Sequence, residues 1–514
     1  MHSPSTTSKS LYFVSILAQY GYLLRSLFAG ILIPFSFAPF HFPGLAFLGI
    51  GLLFAELQNK SLRQACLTGF IFGIGSMGLG VSWVYISIHM YGHLNVLISA
   101  VITCAFICYT ALFPAIASAV FNLLAKKHAS LMLCLLFSGV WCISEYLRST
   151  CFTGFPWLLL GVSQLDTPLK YLLPIIGLYG VGFLVCLTAA CLIMSVRVKQ
   201  LKSKLIWLSA FILIVLLPNS LHSLKWTHTT PDPISVGVIQ ANLSMRDKWD
   251  ETLFWKLLQH YQNHVDDLIG KKRLIVMPES ALPLPASYLR EFLNDIDYRA
   301  KKAGTTLLLG IPKATTSDET KYYNTLTAIG QDKGIYFKRH LVPFGEYIPR
   351  PFQAVMKWLD MPTATMQPGK LKQPLINIGQ HPIAALICYE LAYPNLLRQL
   401  LPQAEWIVSI SDDGWFGHSF APYQQLQIAQ TLSLQTGRYQ IMANNDGLSS
   451  VIDNDGNLTS SLPAFTSGIL DSTVYAATGS TPWVKFGDKP ILYFSLCITL
   501  IALFQKRRYP YQPT

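Results

Sequence analysis

Three stretches of this chain end an apolar run on a residue that can do chemistry. In His381 to Pro394, HPIAALICYELAYP, the run Ile383 to Ile387 shows no polar alternation and reads as a strand buried on both faces. It stops at Cys388-Tyr389-Glu390, and Pro394 with the leucines at 396, 397, 400 and 401 begins a helix. The cysteine therefore stands at a strand-to-helix corner, beside the free N–H groups of a helix start, where a thiolate comes within reach of neutral pH. A lone cysteine is also a common small core residue, and this stretch by itself favours that reading. Leu274 to Ser280, LIVMPES, places Glu279 directly after a second buried strand, with Pro278 fixing the turn. A desolvated carboxylate is the general base a thiol needs, and a turn cap is the equal alternative. Phe337 to Tyr347, FKRHLVPFGEY, carries Lys338 on a strand and Glu346 in the aromatic loop that follows. Corners ending in Glu, Lys and Cys supply a base, an oxyanion donor and a nucleophile, the set that acyl transfer uses.

The elements that must hold these corners fall in one polar segment, residues 227–482, of a size suited to a single large domain. Strands are expected at Ile234 to Gln240, Leu274 to Met277, Thr305 to Ile311, Tyr323 to Ile329, Gly334 to His340, Trp406 to Ile410 and Tyr439 to Ala443. Helices are expected at Glu251 to Ile269, Ala286 to Lys302 and Tyr423 to Thr436. Asn454-Asp455-Gly456 closes a hairpin between Ser449 to Ile452 and Leu458 onward. Strands and helices mixed in this way predict an α+β class, with stacked sheets covered by helices.

On both sides of that segment the chain is apolar. Its 514 residues are 51% hydrophobic and 13% charged, with a mean hydropathy of +0.37, which points to a membrane protein carrying a polar domain. Spans are read near residues 20–38, 43–57, 65–89, 94–124, 130–147, 171–195, 204–221 and 488–505, about eight in all. The expected domains are 1–226 with seven transmembrane helices, 227–482 exterior, and 483–514 with the last helix and a basic tail. The net charge of +12 is not a nucleic-acid footprint, because the basic residues cluster between spans. Lys60 and Arg63, Lys126 and Lys127, Arg197 to Lys204, and Lys506 to Arg508 all fall on one side. By the positive-inside rule that side is the cytoplasm, both termini lie there, and the polar segment is exterior. The loop Glu145 to Gln164 has the aromatic, Gly and Pro content of an interfacial belt or a re-entrant segment. Glu56 and Glu145 lie near span ends, and no intramembrane pair of acidic and basic residues is foreseen. Of the ten cysteines nine lie in or beside the apolar regions, and none has the spacing of a metal site.

The triple PES, KRHLVPFGEY and CYE, in this order, resembles the nitrilase superfamily, whose Glu-Lys-Cys triad sits on an αββα sandwich. FSFAPF at 35–40, GVSWVYISI at 80–88, GFPWLLLGVSQLDTPL at 154–169, KWDE at 248–251, LVPFGEYIPR at 341–350, ICYE at 387–390 and DDGWFG at 412–417 are similar to the apolipoprotein N-acyltransferase family. The resemblance covers nearly the whole chain. It implies Glu279, Lys338 and Cys388 as the catalytic residues and Glu346, Tyr389 and Glu390 as their support. Phe344, Tyr347 and Trp415 are then the aromatics that meet substrate. It implies a glycerophospholipid donor, typically the sn-1 chain of phosphatidylethanolamine. The acceptor is the α-amino group of an S-diacylglyceryl cysteine on a lipoprotein, reached through a Cys388 thioester. Apolar loops Leu341 to Pro351 and Leu359 to Pro368 would draw acyl chains from the bilayer. The expected enzyme needs no cofactor or metal, binds no nucleic acid, and acts as a monomer in the inner membrane with its catalytic domain periplasmic. The chain departs from the family pattern at Asp412 and Gly414, where Asn and Ala are usual, and at Gln425, Gln430 and Gln435, where His, Arg and Glu are common.

Two other readings stay open on the residues alone. A membrane-anchored nitrilase-type amidase would hydrolyse a small soluble amide or nitrile. A transporter or export component would use the exterior domain only to bind, and the lack of intramembrane charge pairs speaks against it.

Overall fold

The computed structural model describes residues 20–92, 94–125, 128–244, 248, 250, 252–315, 321–350, 353 and 366–508, and for Arg507 and Arg508 the backbone only. Lys126, Lys127, Trp249, Glu251 and residues 351, 352 and 354–365, which include most of the loop from Leu359 to Pro368, lie outside the described residues. The chain divides into two compact units, Met1–Ser223 with Asp488–Thr514, and Leu224–Gly487.

The first unit is helical because its apolar stretches satisfy their backbone internally. In order come α1 (Tyr20–Ser36), α2 (Gly44–Leu57), α3 (Leu62–Gly80), α4 (Val96–Ala125), α5 (Ser130–Thr150), α6 (Leu173–Arg197) and α7 (Leu201–Leu216), with Lys489–Arg508 at the end of the chain. Among the described residues five helices are long and apolar enough to cross a membrane. The count is six if α3 and Val84–Tyr91, bent by 64°, form one span, and α1 and α2 are shorter. Ser61 and Gln64 cap the start of α3 reciprocally. Further along, a Cβ on Gly69 would sit 2.3 Å from the Pro114 carbonyl, so only glycine lets α3 and α4 approach this closely.

Charge inside this unit differs from the sequence expectation. Arg25 pairs with Glu56 at 2.5 Å, and both Glu145 and Arg148 on α5 are buried. Arg148 donates to the carbonyls of Phe155 (2.9 Å) and Trp157 (2.5 Å), while Glu145 accepts from Leu160 N at 3.0 Å. The segment Phe155–Leu160 is therefore folded into the unit, with Trp157 2% exposed, and is not an interfacial belt. Charges a hydropathy window places at a span end serve here as anchors for buried backbone.

The second unit stacks two six-stranded sheets. Its strands are β1 (Thr227–Gln240), β2 (Leu274–Val276), β3 (Thr306–Ala314), β4 (Tyr322–Gly330), β5 (Gly334–Phe337), β6 (Ile376–Ile378), β7 (His381–Ile387), β8 (Trp406–Ser411), β9 (Gln440–Asn444), β10 (Ser450–Ile452), β11 (Leu458–Ser461) and β12 (Gly468–Gly479). One sheet runs β12-β1-β2-β3-β4-β5 and the other β11-β10-β9-β8-β7-β6. Between them lies a core of alternating inward residues, Val236, Val238, Leu274, Val276 and Leu308 facing Ile383, Ala385, Ile387, Val408 and Ile410. The outer face of the first sheet, with Ile239, Ile275, Leu307 and Leu309, is covered by Leu257, Tyr261 and Val265 of α8 (Phe254–Leu268) and by Ile296 and Ala300 of α9 (Arg290–Lys302). On the second sheet, α10 (Ala421–Thr436) packs against β9 and β10. This is the expected αββα sandwich.

Details differ at the strand ends. Lys338 follows β5 instead of lying within it, and Cys388 opens a short 3-10 turn, Cys388–Ala392, before a helix of only five residues, Pro394–Arg398. β1 begins at Thr227, earlier than expected, and its register shifts between Thr229 and Pro233, which leaves Pro231 outside the paired positions. Its antiparallel partner β12 was not foreseen, since GILDSTVYAATG alternates weakly.

Candidate active site

Cys388 sits where β7 stops, with φ of 53°, a left-handed conformation that aims its side chain away from the strand direction. The following turn returns Glu390 beneath it. The Glu390 carboxylate accepts from Ile387 N (2.9 Å), Arg339 N (2.7 Å), His340 N (3.0 Å) and the Tyr336 hydroxyl (2.9 and 3.0 Å). One side chain thus ties the backbone before the cysteine to the backbone after Lys338, which fixes the spacing of the two corners. Burial raises the Glu390 carboxyl against the pull of those bonds.

Lys338 is the centre of the charged set. Its Nζ donates to Glu346 Oε1 at 2.9 Å and to Glu279 Oε1 at 3.3 Å. Asn324 Nδ2 reaches the same two oxygens, at 3.0 Å and 2.6 Å, and Glu346 Oε2 accepts from Val342 N at 2.8 Å. Burial opposes the charge on Lys338, and the carboxylates of Glu279 and Glu346 outweigh it, so the ammonium is held well above its ordinary value. Glu279 Oε2 is buried and accepts no hydrogen bond among the described residues. Burial pushes the Cys388 thiol well up; Glu279 adds to this and Lys338 works against it. The resting sulfur is therefore protonated and faces a carboxylate and an ammonium together.

The structure brings together Glu279, Lys338, Glu346, Cys388 and Glu390. Tyr389 packs against His340 (ring centroids 5.9 Å apart) and Tyr393 (5.1 Å). Burial, then the charge of Lys338, pushes His340 down to about 4. Phe344 (51% exposed) and Trp415 (38%) stand at the surface, and the Tyr347 carbonyl accepts from Phe344 N at 2.7 Å to close the aromatic loop.

Several partners carry little sequence signal. Asn324 lies inside β4 among ordinary strand residues. Lys248, of the KWDE motif, is buried, donates to the Glu279 carbonyl at 2.9 Å and pairs with Asp412. Asp412 also accepts from Gly414 N at 3.2 Å and Asn445 Nδ2 at 3.1 Å. Asp413 gathers Ser411 Oγ (2.9 Å) and Asn444 Nδ2 (2.6 Å). With its amide oriented to satisfy both ends, Gln425 donates to both Asp413 oxygens, at 2.7 and 2.8 Å, and presents its carbonyl to Ser411 Oγ at 3.1 Å. The polar run Asn444-Asn445-Asp446 directly after an apolar strand was the one available clue. Of the three glutamines noted on α10, only Gln425 reaches this cluster. Gln430 bonds the Gly456 carbonyl at 3.0 Å, and the buried Gln435 amide has no partner among the described residues.

Residues 29–191 match the family model described as the apolipoprotein N-acyltransferase N-terminal domain, and residues 235–482 match that of carbon-nitrogen hydrolase. The chain is 36% identical over 494 residues to an apolipoprotein N-acyltransferase of Methylococcus capsulatus, covering 95% of this chain and 96% of that one. It is 35% identical to one of Coxiella burnetii, covering 93% and 99%. Among solved structures it is similar to Saccharomyces cerevisiae Nit3, a member of branch 10 of the nitrilase superfamily, at 18% identity and a TM-score of 0.36 over 47% of this chain and 90% of that one.

Proposed function

Because the chain belongs to the apolipoprotein N-acyltransferase family, we propose that it N-acylates lipoproteins in two half-reactions through a thioester on Cys388. It is a membrane acyltransferase whose substrates are lipids and lipoproteins. The donor in this reading is a glycerophospholipid giving up the sn-1 chain of phosphatidylethanolamine. The acceptor is the α-amino group of the S-diacylglyceryl cysteine at a lipoprotein N-terminus.

The observation that carries the reading is the buried ion set, with Lys338 bonded at once to Glu279 and Glu346 beside a cysteine at positive φ. In the first half-reaction the thiol proton passes to Glu279, whose Oε2 has its hydrogen-bonding capacity unused, and the sulfur attacks the ester carbonyl. The Lys338 ammonium and the Tyr389 backbone N–H receive the oxyanion. Glu279 then protonates the departing lysophospholipid, leaving a thioester. In the second, Glu279 takes a proton from the incoming amine and returns it to the sulfur as the amide forms. Glu346 orients Lys338, and Glu390 holds the two corners at a constant distance. Phe344, Tyr347 and Trp415 meet the acyl chains and keep water from the thioester.

The domain division at 227–482, an exterior and periplasmic catalytic segment, cytoplasmic termini and a monomeric state belong to the same proposal. The basic clusters at Lys60 and Arg63 and at Arg197 to Lys204 support its topology.

Intact-protein mass spectrometry after incubation with phosphatidylethanolamine tests it. The expected result is a fatty-acyl adduct on the wild type, absent from Cys388→Ala and discharged by a diacylglyceryl-cysteine peptide. No adduct on either protein with active lipid present, combined with turnover of a soluble amide, would sink the acyltransferase mechanism in favour of an amidase.

A further inference from the structure

The backbone of Glu279 lies beyond the strand that leads to it. β2 ends at Val276, Met277 N still bonds the Leu308 carbonyl at 2.8 Å, and Pro278 has no N–H to continue the ladder. On one side the corner is pressed against β3, where a Cβ on Gly310 would come within 2.7 Å of Glu279 Cα. At its carbonyl it is held by Lys248, whose Nζ donates at 2.9 Å.

Two devices bring that ammonium to the corner. Asn445, just after β9, ties down the chain leaving β1. Its carbonyl accepts from Asn242 N at 2.7 Å, its Oδ1 accepts from Leu243 N at 3.2 Å, and its Nδ2 donates to the Leu243 carbonyl at 2.8 Å. Lys248 N then bonds back to the Ser244 carbonyl at 2.9 Å. The second device is Asp412, which follows β8 and divides its carboxylate. Oδ1 accepts from Gly414 N and Asn445 Nδ2, and Oδ2 pairs with Lys248. Both members of the pair are buried. A buried ion pair contributes little stability over apolar residues of the same volume, and here its cation is directed at the carbonyl of the proposed base.

We propose that Lys248, held by Asp412, is a positioning residue for Glu279: its bond to the Glu279 carbonyl sets where the carboxylate enters the site. The inference rests on the thioester mechanism proposed above, in which Glu279 serves both half-reactions. No bond forms or breaks at Lys248, and no proton leaves it. Glu279 Oε1 is met by Asn324 at 2.6 Å and by Lys338 at 3.3 Å, so an outward shift of the corner breaks the longer contact first. A displacement of about 1 Å costs about 100-fold in rate. Because Glu279 is the base for thiol and amine alike, acylation and discharge suffer together.

The test uses the full-length protein in detergent with phosphatidylethanolamine. Acyl-enzyme formation, and its discharge by a diacylglyceryl-cysteine peptide, are followed by rapid-quench mass spectrometry. Wild type, Asp412→Asn and the double variant Lys248→Met with Asp412→Asn are compared, since Lys248→Met alone would leave a buried carboxylate without its cation. The double variant is expected to slow both half-reactions by the same factor, about 10-fold to 100-fold, with the half-saturating lipid concentration unchanged. Asp412→Asn keeps the ammonium and an oxygen to meet it, and is expected to lose less. Wild-type rates in the double variant overturn the proposal. So does a loss confined to acylation with a raised half-saturating lipid concentration, which would make Lys248 part of a lipid contact. An equal loss in Asp412→Asn alone also overturns it, by placing the effect in the turn that carries Trp415. Lys248→Gln keeps a donor for Asp412 but is one bond too short to reach both acceptors, and the same equal slowing decides the matter there if the double variant does not fold. Absence of an adduct on the wild type overturns the Cys388 reading itself, so the two failures are distinguishable.

Discussion

The two outer layers of the sandwich are built from opposite materials. Over the first sheet, α8 and α9 present apolar stripes, Leu257, Tyr261 and Val265, Ile296 and Ala300, and turn charged residues to solvent. Over the second sheet, fourteen of the sixteen residues of α10 are buried, among them Gln424, Gln425, Gln427 and Gln435, facing a layer that includes Ser409, Ser411 and Gln440. Ser409 and Gln440 bond each other at 3.0 Å, and Gln440 also meets Ser433 of α10 at 3.3 Å. The first layer can be exchanged for any apolar filling of the right volume; the second is specified bond by bond, because each unmade bond leaves a buried group unsatisfied. Cys388, the nucleophile of the proposed mechanism, and Ser411 stand at the ends of neighbouring strands of the second sheet. The layer wired by hydrogen bonds therefore backs the Cys388 corner, while the oily layer backs the sheet whose strands β2 and β5 lead to Glu279 and Lys338.

That contrast can be broken in graded ways. Glu390→Ala strips the acceptor from Ile387 N, Arg339 N, His340 N and Tyr336. It is expected to lower acyl transfer by about 100-fold or more and unfolding free energy by about 3 kcal/mol, read by turnover and urea denaturation. Loss of stability without loss of activity per folded molecule would show that the clamp does not set the Cys388 to Lys338 spacing. Leu257→Ala in the oily layer should destabilise by about 3 kcal/mol while kcat of the folded fraction stays at the wild-type value. A fall in kcat there would erase the division of labour. Gln435→Leu replaces an amide without partners by an apolar side chain and should stabilise by about 1 kcal/mol at unchanged turnover. A separate effect is in pH. Asp413 and Asp446 are pushed up to about 8 and about 7 by burial and by neighbouring carboxylates. Their folded forms keep protons that the unfolded chain releases near pH 4, so the stability they contribute is complete below that pH and is lost as pH rises toward 8. Denaturation midpoints should decline over that interval, and Asp413→Asn should flatten the decline.

Glu279, Lys338 and Cys388 were legible because each ends an apolar run on a residue type that a strand end rarely carries without purpose. Glu390 was legible only as a neighbour of the cysteine; its function as a clamp depends on Arg339 and His340, fifty residues away in sequence. Asn324 was invisible, since alternation inside β4 predicts a strand residue and says nothing of what its amide meets. Glu145 and Arg148 were misplaced for a different reason. Hydropathy reports the average of a window, and a pair of charges that satisfies buried carbonyls and N–H groups looks the same as a pair at the water interface. β12 escaped notice because its pairing with β1 closes a loop of more than two hundred residues, which no local pattern records.

Cys388 is held at φ of 53°, a conformation that disfavours any side chain by about 1 kcal/mol. Glycine would rest there without strain, so Cys388→Gly should fold at least as firmly as the active protein. The molecule is thus under steady tension between persistence and use. In a lineage released from the need to transfer acyl chains, the first residue to drift away would be Cys388, the nucleophile of the proposed mechanism, and its loss would leave behind a sturdier, silent protein.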